Sequence, residues 1–343
     1  MHTTATPPKA ILGIDVSKNK LDLHLIPDEA VLERKRGSGS QSLAKAARHT
    51  FSNSAVGLQK LLAWIERKGI EQAHVCLEPT STYHELAFET LSDHGHWVSV
   101  TNARLIRSFA HAMNLINKTD GIDACVIAEF CRNRRPARSM PLTEAGRSLR
   151  ELSRRRTALV QHEQKERNRL ETTRTTLCIA SLKRSIKALT KEREKIEAAL
   201  HQLIQQNDEL RTQSEQYQSI KGIGKVVSAT ILAELHDLPQ FESAKQAVAY
   251  VGLAPRKHES GSSLHRSGGI SKRGNSRLRA VLYMAALNGM KTDPVLKAFA
   301  DRLRNSVEKK KPKVIVVAVM RKMVHLLYGI AKSGHPRRLP ATI

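Results

Sequence analysis

Two short apolar runs near the start of the chain, Ile11-Leu12-Gly13-Ile14-Asp15 and Val75-Cys76-Leu77-Glu78, each end in an acid. Such runs read as buried strands rather than helices, because they stop after a few residues. Ligands gather where strands of an α/β sheet end. Two further acids, Asp120 and Asp123, stand three apart in Lys118-Thr119-Asp120-Gly121-Ile122-Asp123-Ala124. Magnesium is a hard ion that takes oxygen ligands, usually a few carboxylates with water and substrate phosphate. Two strand-end acids and an i, i+3 pair on a helix can converge on one such ion, or two. Taken singly, the same residues also fit a plainer role. A strand-end Asp is often a turn residue, and an i, i+3 acidic pair is often a helix cap with a first-turn acid.

The surrounding pattern predicts a mixed α/β sheet. Ile11–Val16 and Leu21–Ile26 read as strands joined by the polar turn Ser17-Lys18-Asn19-Lys20. Val31–Arg36 is a candidate third strand, and Ser38 to Ser54 reads as a loop. Val56 to Lys68 carries Val56, Leu58, Leu61, Leu62 and Ile65 at helical spacing. A strand at His74–Glu78, a helix at Tyr83–His94 and a strand at Trp97–Val100 follow. Helices at Ala103–Met113 and Asp120–Arg132 complete the region.

Residues 143 to about 216 are polar, helical in pattern and almost free of Gly and Pro. Leu182, Leu189, Ile196, Leu203 and Leu210 recur every seven residues, with Ile186 and Leu200 between them and Arg193 and Asn207 as interruptions. This is a coiled-coil seam with polar breaks. It predicts self-association or a long helical arm ahead of a helix packed on its own domain.

Beyond Ser219 the texture changes. The turn Ile220-Lys221-Gly222-Ile223-Gly224-Lys225 is of helix-hairpin-helix type, in which Gly222 and Gly224 would let backbone amides approach a phosphate beside Lys221 and Lys225. A plain turn is the equal alternative. About twenty residues rich in Gly, Ser and basic side chains, from Arg256 through Ser260-Gly261 to Gly274-Asn275-Ser276, separate two apolar helices and read as a functional loop.

Charge identifies the class of partner. The 343 residues carry a formal net charge of +25, and the isoelectric point is about 10.2. Arg256 to Ile343 holds 20 Lys and Arg against 4 Asp and Glu, which is +16 of that excess. A polyanion, nucleic acid before others, is the implied partner. Aromatic residues make up only 4% of the chain, which argues against base stacking as the main mode of recognition. The run Glu308-Lys309-Lys310-Lys311-Pro312-Lys313 reads as solvated, with backbone contact to nucleic acid as its functional alternative. The cysteines, Cys76, Cys125, Cys131 and Cys178, show no zinc spacing and read as buried free thiols of a reducing compartment. No signal-peptide core opens the chain. The longest uninterrupted apolar stretch, Val314 to Met320, is too short to span a bilayer. A soluble cytoplasmic protein, nucleoid-associated when bound to DNA, is the expectation.

In this order the motifs resemble the IS110-family transposases, whose relatives include Piv-type site-specific invertases. The motifs are Gly-Ile-Asp-Val-Ser-Lys around Asp15, Leu-Glu-Pro-Thr around Glu78, Lys-Thr-Asp-Gly-Ile-Asp-Ala, the Gly-Ile-Gly turn, Gly-Leu-Ala-Pro, Ser260-Gly261 and the Arg-x-x-Leu-Tyr-Met-Ala-Ala helix. The resemblance runs from Ile11 to about Lys332. It implies an α/β RuvC-like, RNase H-type first domain (residues 1–140) with a D-E-D-D metal site. A coiled-coil helical segment (141–216) would follow, then a basic, mainly α-helical transposase domain (217–343) with a serine nucleophile. On this resemblance Asp15, Glu78, Asp120 and Asp123 match the Mg2+ ligands and Ser260 matches the nucleophile, with Ser276 the weaker contender. Gly121 is a departure, since an arginine is common there. A structured non-coding bridge RNA that pairs with donor and target DNA is also implied, and the coiled coil would build a dimer or tetramer.

The chemistry would be attack of a serine hydroxyl on a DNA phosphate, leaving a phosphoserine-linked strand. A serine hydroxyl needs activation, and the acids, through Mg2+, could supply it. Arg256, Lys257, Arg266, Lys272, Arg273, Arg277 and Arg279 surround Ser260 in sequence and are candidates to stabilise the transition state. His258 and Glu259 read as surface residues. Serine and acids fall in different domains, so the site would be composite, with assembly between protomers as a hypothesis. Three other readings remain: an invertase, a RuvC-like structure-selective nuclease in which Ser260 is incidental, and a non-enzymatic nucleic-acid-bridging protein.

Overall fold

The computed structural model describes residues 7–28, 48–79, 82–113, 120–236, 238–260, 264–272, 274–306 and 310–338, with the backbone alone at 120–122, 256–260 and 264–268. The candidate strand Val31–Arg36 lies outside these residues. The chain divides into two compact units, Met1–Pro141 and Leu142–Ile343.

Five strands build the first unit: β1 (Ile11–Val16), β2 (Lys20–Ile26), β3 (Arg48–Ser52), β4 (His74–Leu77) and β5 (Trp97–Val100). They lie in the order β3-β2-β1-β4-β5. β1 and β2 are antiparallel, as the polar turn predicts, and β3 adds antiparallel to β2. β4 and β5 run parallel to β1 and to each other. β3 falls inside the stretch read from sequence as a loop. Its one buried residue is Phe51, which stacks on His49 at 4.4 Å and meets the edge of Trp64 at 6.1 Å. A strand with a single buried side chain leaves no apolar alternation to read.

Helix α1 (Ala55–Arg67) begins at Ser54, whose side chain accepts from the Gly57 amide. Helices α2 (Glu85–Asp93), α3 (Ala103–Ala112) and α4 (Asp120–Arg134) follow. The alternation of the strands splits their side chains between two layers. Leu12, Ile14, Val75 and Leu77 face α1 and α2, where they pack with Leu58, Leu61, Ile65 and Leu91. Ile11 and Cys76 face the other way, against Ile106 of α3 and Ile127, Ala128 and Cys131 of α4. Gly13 shares that second face. A Cβ placed there would overlap the Ala128 nitrogen and the Ala124 carbonyl oxygen, so the glycine is what allows the α4 backbone to lie directly on β1.

The second unit opens with α5 (Glu144–Thr172) and α6 (Thr176–Gln206). They run antiparallel, as the ion pairs Arg156–Glu197 (2.7 Å) and Arg193–Glu163 (3.1 Å) require. Ile186, Leu200 and Ile204 of α6 and Leu159 of α5 are buried. The two polar breaks in the heptad pattern have separate causes. Arg193 bridges Glu163 and Glu197. Asn207 ends α6 and caps α7 (Asp208–Gln218) by accepting from the Leu210 amide at 3.0 Å. Leu210 therefore lies on a different helix from the rest of the seam.

After α7 come α8 (Lys225–Glu234), α9 (Ala244–Val251), β6 (Pro255–Ser260), β7 (Leu264–Ile270), α10 (Ser276–Thr292), α11 (Pro294–Arg304) and α12 (Pro312–Ser333). Leu149 of α5, Tyr217, Ile231, Leu282, Val319 and Met323 share one core, so the long helices and the C-terminal helices close on each other. The stretch read as a twenty-residue loop is corrected here. β6 and β7 pair antiparallel from Pro255↔Ile270 to Ser260↔Leu264, with a register shift between Pro255 and Arg256. Antiparallel pairing is carried by backbone hydrogen bonds, which a polar sequence does not advertise.

α12 also exceeds expectation. It runs on through Arg321 and Lys322 to a length and hydropathy sufficient to cross a membrane, but Ile315, Val316, Val319, Met320, Met323, Val324, Leu327 and Ile330 bury one stripe of it in the core. Of the cysteines, Cys76 and Cys131 are buried as read, Cys125 is half-buried, and Cys178 is exposed near the start of α6.

Two stability predictions follow from this packing. Gly13→Val must push α4 off the sheet, costing about 1–3 kcal/mol as overpacking, read as a lowered urea midpoint; an unchanged midpoint contradicts the contact. In the second unit Arg337 makes a bidentate pair with Asp293, at 2.6 and 3.2 Å, and Asp293 is fully buried while capping α11. Arg337→Met strands that charge and should cost about 3–5 kcal/mol in the same measurement.

Candidate active site: an acidic sheet face and a serine hairpin

Strand parity decides which side of the sheet each acid occupies. Asp15 is two residues beyond Gly13, so it shares the face covered by α4. The register pairs Ile14 with Leu77, which brings Asp15 level with Glu78 at the C-terminal ends of two adjacent parallel strands. Glu78 is the first residue beyond β4, which ends at Leu77 and not at Glu78 as the sequence suggests. Asp15 is not the last residue of its strand, since β1 continues to Val16. Asp123 immediately precedes Ala124, whose carbonyl lies against Gly13. Asp120 is the first residue of α4, one turn earlier. A fifth carboxylate, Asp22, stands opposite Asp15 in the β1–β2 register. It accepts from Thr50 Oγ1 at 2.6 Å and pairs with Lys20 at 3.1 Å. The alternation Leu21-Asp22-Leu23 carried the signal for it.

Electrostatics links Glu78 with Asp123 and Arg107. Glu78 has its pKa raised above the usual carboxylate range, first by burial and further by the negative charge of Asp123, while Arg107 of α3 opposes the shift. Asp123 and Arg107 therefore lie within electrostatic reach of Glu78. Arg107 was not singled out by sequence, because only the packing of α3 beside α4 brings it near. The donor set is all-oxygen and anionic, and crowding of like charge is what a hard divalent ion relieves, so these residues suit Mg2+ in donor chemistry. Among the described residues, no three His, Cys, Asp or Glu side chains are gathered into a ready-made metal site.

Ser260 is the last residue of β6, paired with Leu264 at the far end of the hairpin. Ser276, its contender, is the exposed first residue of α10. Arg256 stands opposite Gly268, Lys257 opposite Ser267, and Arg266 opposite His258, two positions from Ser260. Lys272 is exposed in a left-handed conformation, φ +52. Arg273 lies outside the described residues. Arg279 donates from Nη1 to the Val251 and Gly274 carbonyls, at 3.0 and 2.9 Å. The Arg277 Nε lies 4.0 Å from Glu234, and its side chain is half exposed.

In the Gly-Ile-Gly turn the two glycines differ. Gly222, at φ +101, is pressed against the backbone of α10 at Ala285 and Gly289, which by itself accounts for a glycine there. Gly224 is open and precedes α8, whose N-terminus has no side-chain cap. Lys221 is exposed, and the Lys225 ammonium lies 3.3 Å from His201 Nε2.

Known proteins match this chain in the same order. A transposase model of the IS110 DEDD type matches residues 12–179, and the model described as "Transposase IS116/IS110/IS902 family" matches residues 214–301. The pilin gene-inverting protein of Moraxella bovis is 28% identical over 96% of this chain and 97% of its own length. A protein of insertion element IS110 from Streptomyces coelicolor is 26% identical over 49% of this chain and 40% of its own. The transposase for insertion sequence element IS1111A of Coxiella burnetii is 30% identical over 36% and 30%, respectively. With one transposase model on the acidic face and the other on the turn and hairpin, the chain belongs to the IS110 family of transposases.

Proposed function

We propose that the chain cuts and rejoins DNA through a phosphoserine intermediate, with Asp15, Glu78, Asp120 and Asp123 as ligands to Mg2+ and Ser260 as the nucleophile. The observation that supports this reading is the register: Ile14 pairs with Leu77, so Asp15 and Glu78 follow level on adjacent parallel segments, and the charge of Asp123 adds to the burial that raises the Glu78 pKa. A divalent ion held there supplies charge neutralisation at a phosphate and lowers the pKa of a coordinated oxygen. The Ser260 oxygen attacks phosphorus, its proton passes to a base, and the bond to one sugar oxygen breaks as that oxygen takes up a proton. The phosphodiester bond is conserved as a phosphoserine ester, so a second sugar hydroxyl can reverse the step without ATP.

Positive charge concentrated in the last quarter of the chain suits binding along phosphate backbones. Arg256, Lys257, Arg266, Lys272, Arg273 and Arg277, with the open end of α8 at Gly224 and Lys225, are the proposed contacts. With aromatics so scarce, sequence is read through pairing to a structured bridge RNA rather than by base stacking. Copies of the chain associate into a dimer or tetramer along the α5–α6 helical pair, whose residues Leu200 and Ile204 are already buried within one chain. The protein acts in the cytoplasm, at the nucleoid.

A second reading has its own support. The likeness to the pilin gene-inverting protein spans nearly the whole of both chains, and an invertase would use the same residues on inverted sites within one molecule.

Two experiments test the chemistry. Asp15→Asn, Glu78→Gln and Asp123→Asn should each lower strand cleavage by about a hundredfold or more while a mobility-shift assay still detects DNA binding; full cleavage in any of them contradicts its place in the site. Ser260→Ala should abolish the covalent protein–DNA adduct seen on denaturing gels. Hydrolysed ends with no adduct from the wild-type chain would instead favour a nuclease.

A further inference from the structure

The β6–β7 hairpin, whose first strand ends in Ser260, joins α9 to α10 through a neck, and the neck is closed onto a buried carboxylate. Glu234, the last residue of α8, is 4% exposed. An acid is almost never buried to that degree unless paired. Its Oε1 accepts from Arg154 Nε at 2.9 Å, and its Oε2 accepts from Asn275 Nδ2 at 2.8 Å and Arg154 Nη2 at 3.4 Å. Burial pushes its pKa up, but the bonds from Arg154 and Asn275 outweigh burial and hold it below the usual range.

Asn275 is the pivot on the exit side. Its side-chain oxygen accepts from the amides of Arg277 (3.0 Å) and Leu278 (3.2 Å), which starts α10, and its own amide donates to the Tyr250 carbonyl at 3.1 Å. On the entry side the Tyr250 hydroxyl donates to the Glu234 carbonyl at 3.3 Å. Glu234 therefore holds both limbs of the neck, one through its backbone and one through its carboxylate. Between them Ser271 N donates to Ala254 O (2.8 Å) and Lys272 N to Gly252 O (3.1 Å), and Arg279 spans Val251 and Gly274. A Cβ on Gly274 would overlap the Tyr250 carbonyl, so the limbs cross at backbone contact.

Stability alone does not call for this arrangement. Replacing a buried ion pair with apolar side chains of similar size is often neutral or stabilising. What the pair gives that apolar packing does not is direction. One carboxylate fixes the foot of the hairpin, and the Arg154 and Arg277 side chains beside it remain 37% and 47% exposed.

We propose that Glu234 is a positioning residue for strand cleavage: through Asn275 and Arg154 it fixes the neck that aims the Ser260 hairpin. The proposal rests on Ser260 as nucleophile, so the test separates the two. Full-length protein is incubated with a labelled duplex spanning the ends of its own element, together with RNA transcribed from the flanking DNA. The variants are Glu234→Gln, the double variant Arg154→Met/Glu234→Met, and Ser260→Ala as control. Adduct rate, DNA affinity, melting temperature and amide exchange over 250–279 are read in each.

Glu234→Gln should form adduct at least about tenfold more slowly, with DNA affinity held and faster exchange confined to the neck and hairpin. The double variant should keep its melting temperature and show the same loss of rate, which a merely structural role would not produce. A wild-type adduct rate in either folded variant, or unchanged exchange in the neck, overturns the proposal. If Ser260→Ala still forms adduct, the nucleophile assignment falls, and the exchange data alone then decide whether Glu234 holds the neck.

Discussion

A backbone-on-backbone contact at Gly13 underlies the acidic face. Helix α4 can lie on β1 only because position 13 has no side chain, and Ala124 and Ala128 are the helix residues that meet it. That approach sets the start of α4, where Asp123 precedes Ala124, against β1. Any larger residue at 13 would have to lift the helix from the strand. The same close packing buries Ile11, Cys76, Ile127 and Cys131, and the pKa of Glu78 is raised first by burial and further by the charge of Asp123, against the opposing Arg107.

The second unit solves a different problem. A polar hairpin has little apolar surface with which to fix its own direction, so its position must come from its attachment. Glu234, Asn275 and Arg279 provide that attachment with hydrogen bonds to both limbs. Two of the basic residues flanking the hairpin, Arg277 and Arg279, are drawn into this framework, which distinguishes them from the exposed Lys221 and Lys272.

Much of the first unit was legible in the sequence because its signals are periodic. The β1–β2 hairpin, the parallel strands and the order of the helices follow from apolar runs and turn residues. β3 escaped because Phe51 is its one buried side chain, and β6–β7 because backbone pairing leaves no mark on a polar sequence. The heptad run was legible, but the meaning of its breaks was not: Arg193 is an ion-pair centre and Asn207 a helix cap. Around the candidate site, the acids at 15, 78 and 123 stood out as strand-end and helix-start residues. Arg107 and Glu234 did not, since each takes its meaning from a partner far along the chain, whereas Asp22 was marked by the alternation Leu21-Asp22-Leu23. Gly222 shows the converse, a motif glycine whose nearest neighbour is a helix of its own unit.

On the proposed function Asp15, Glu78 and Asp123 serve one cation, and the Gly13 contact sets where α4 lies on β1. Titration of the full-length protein with Mn2+, followed by electron paramagnetic resonance, tests this without reference to catalysis. Asp15→Asn, Glu78→Gln, Asp123→Asn and the helix-displacing Gly13→Val should each weaken Mn2+ binding by about tenfold or more. Wild-type affinity in any one of the three acid variants, or in a folded Gly13→Val protein, would contradict a shared cation site.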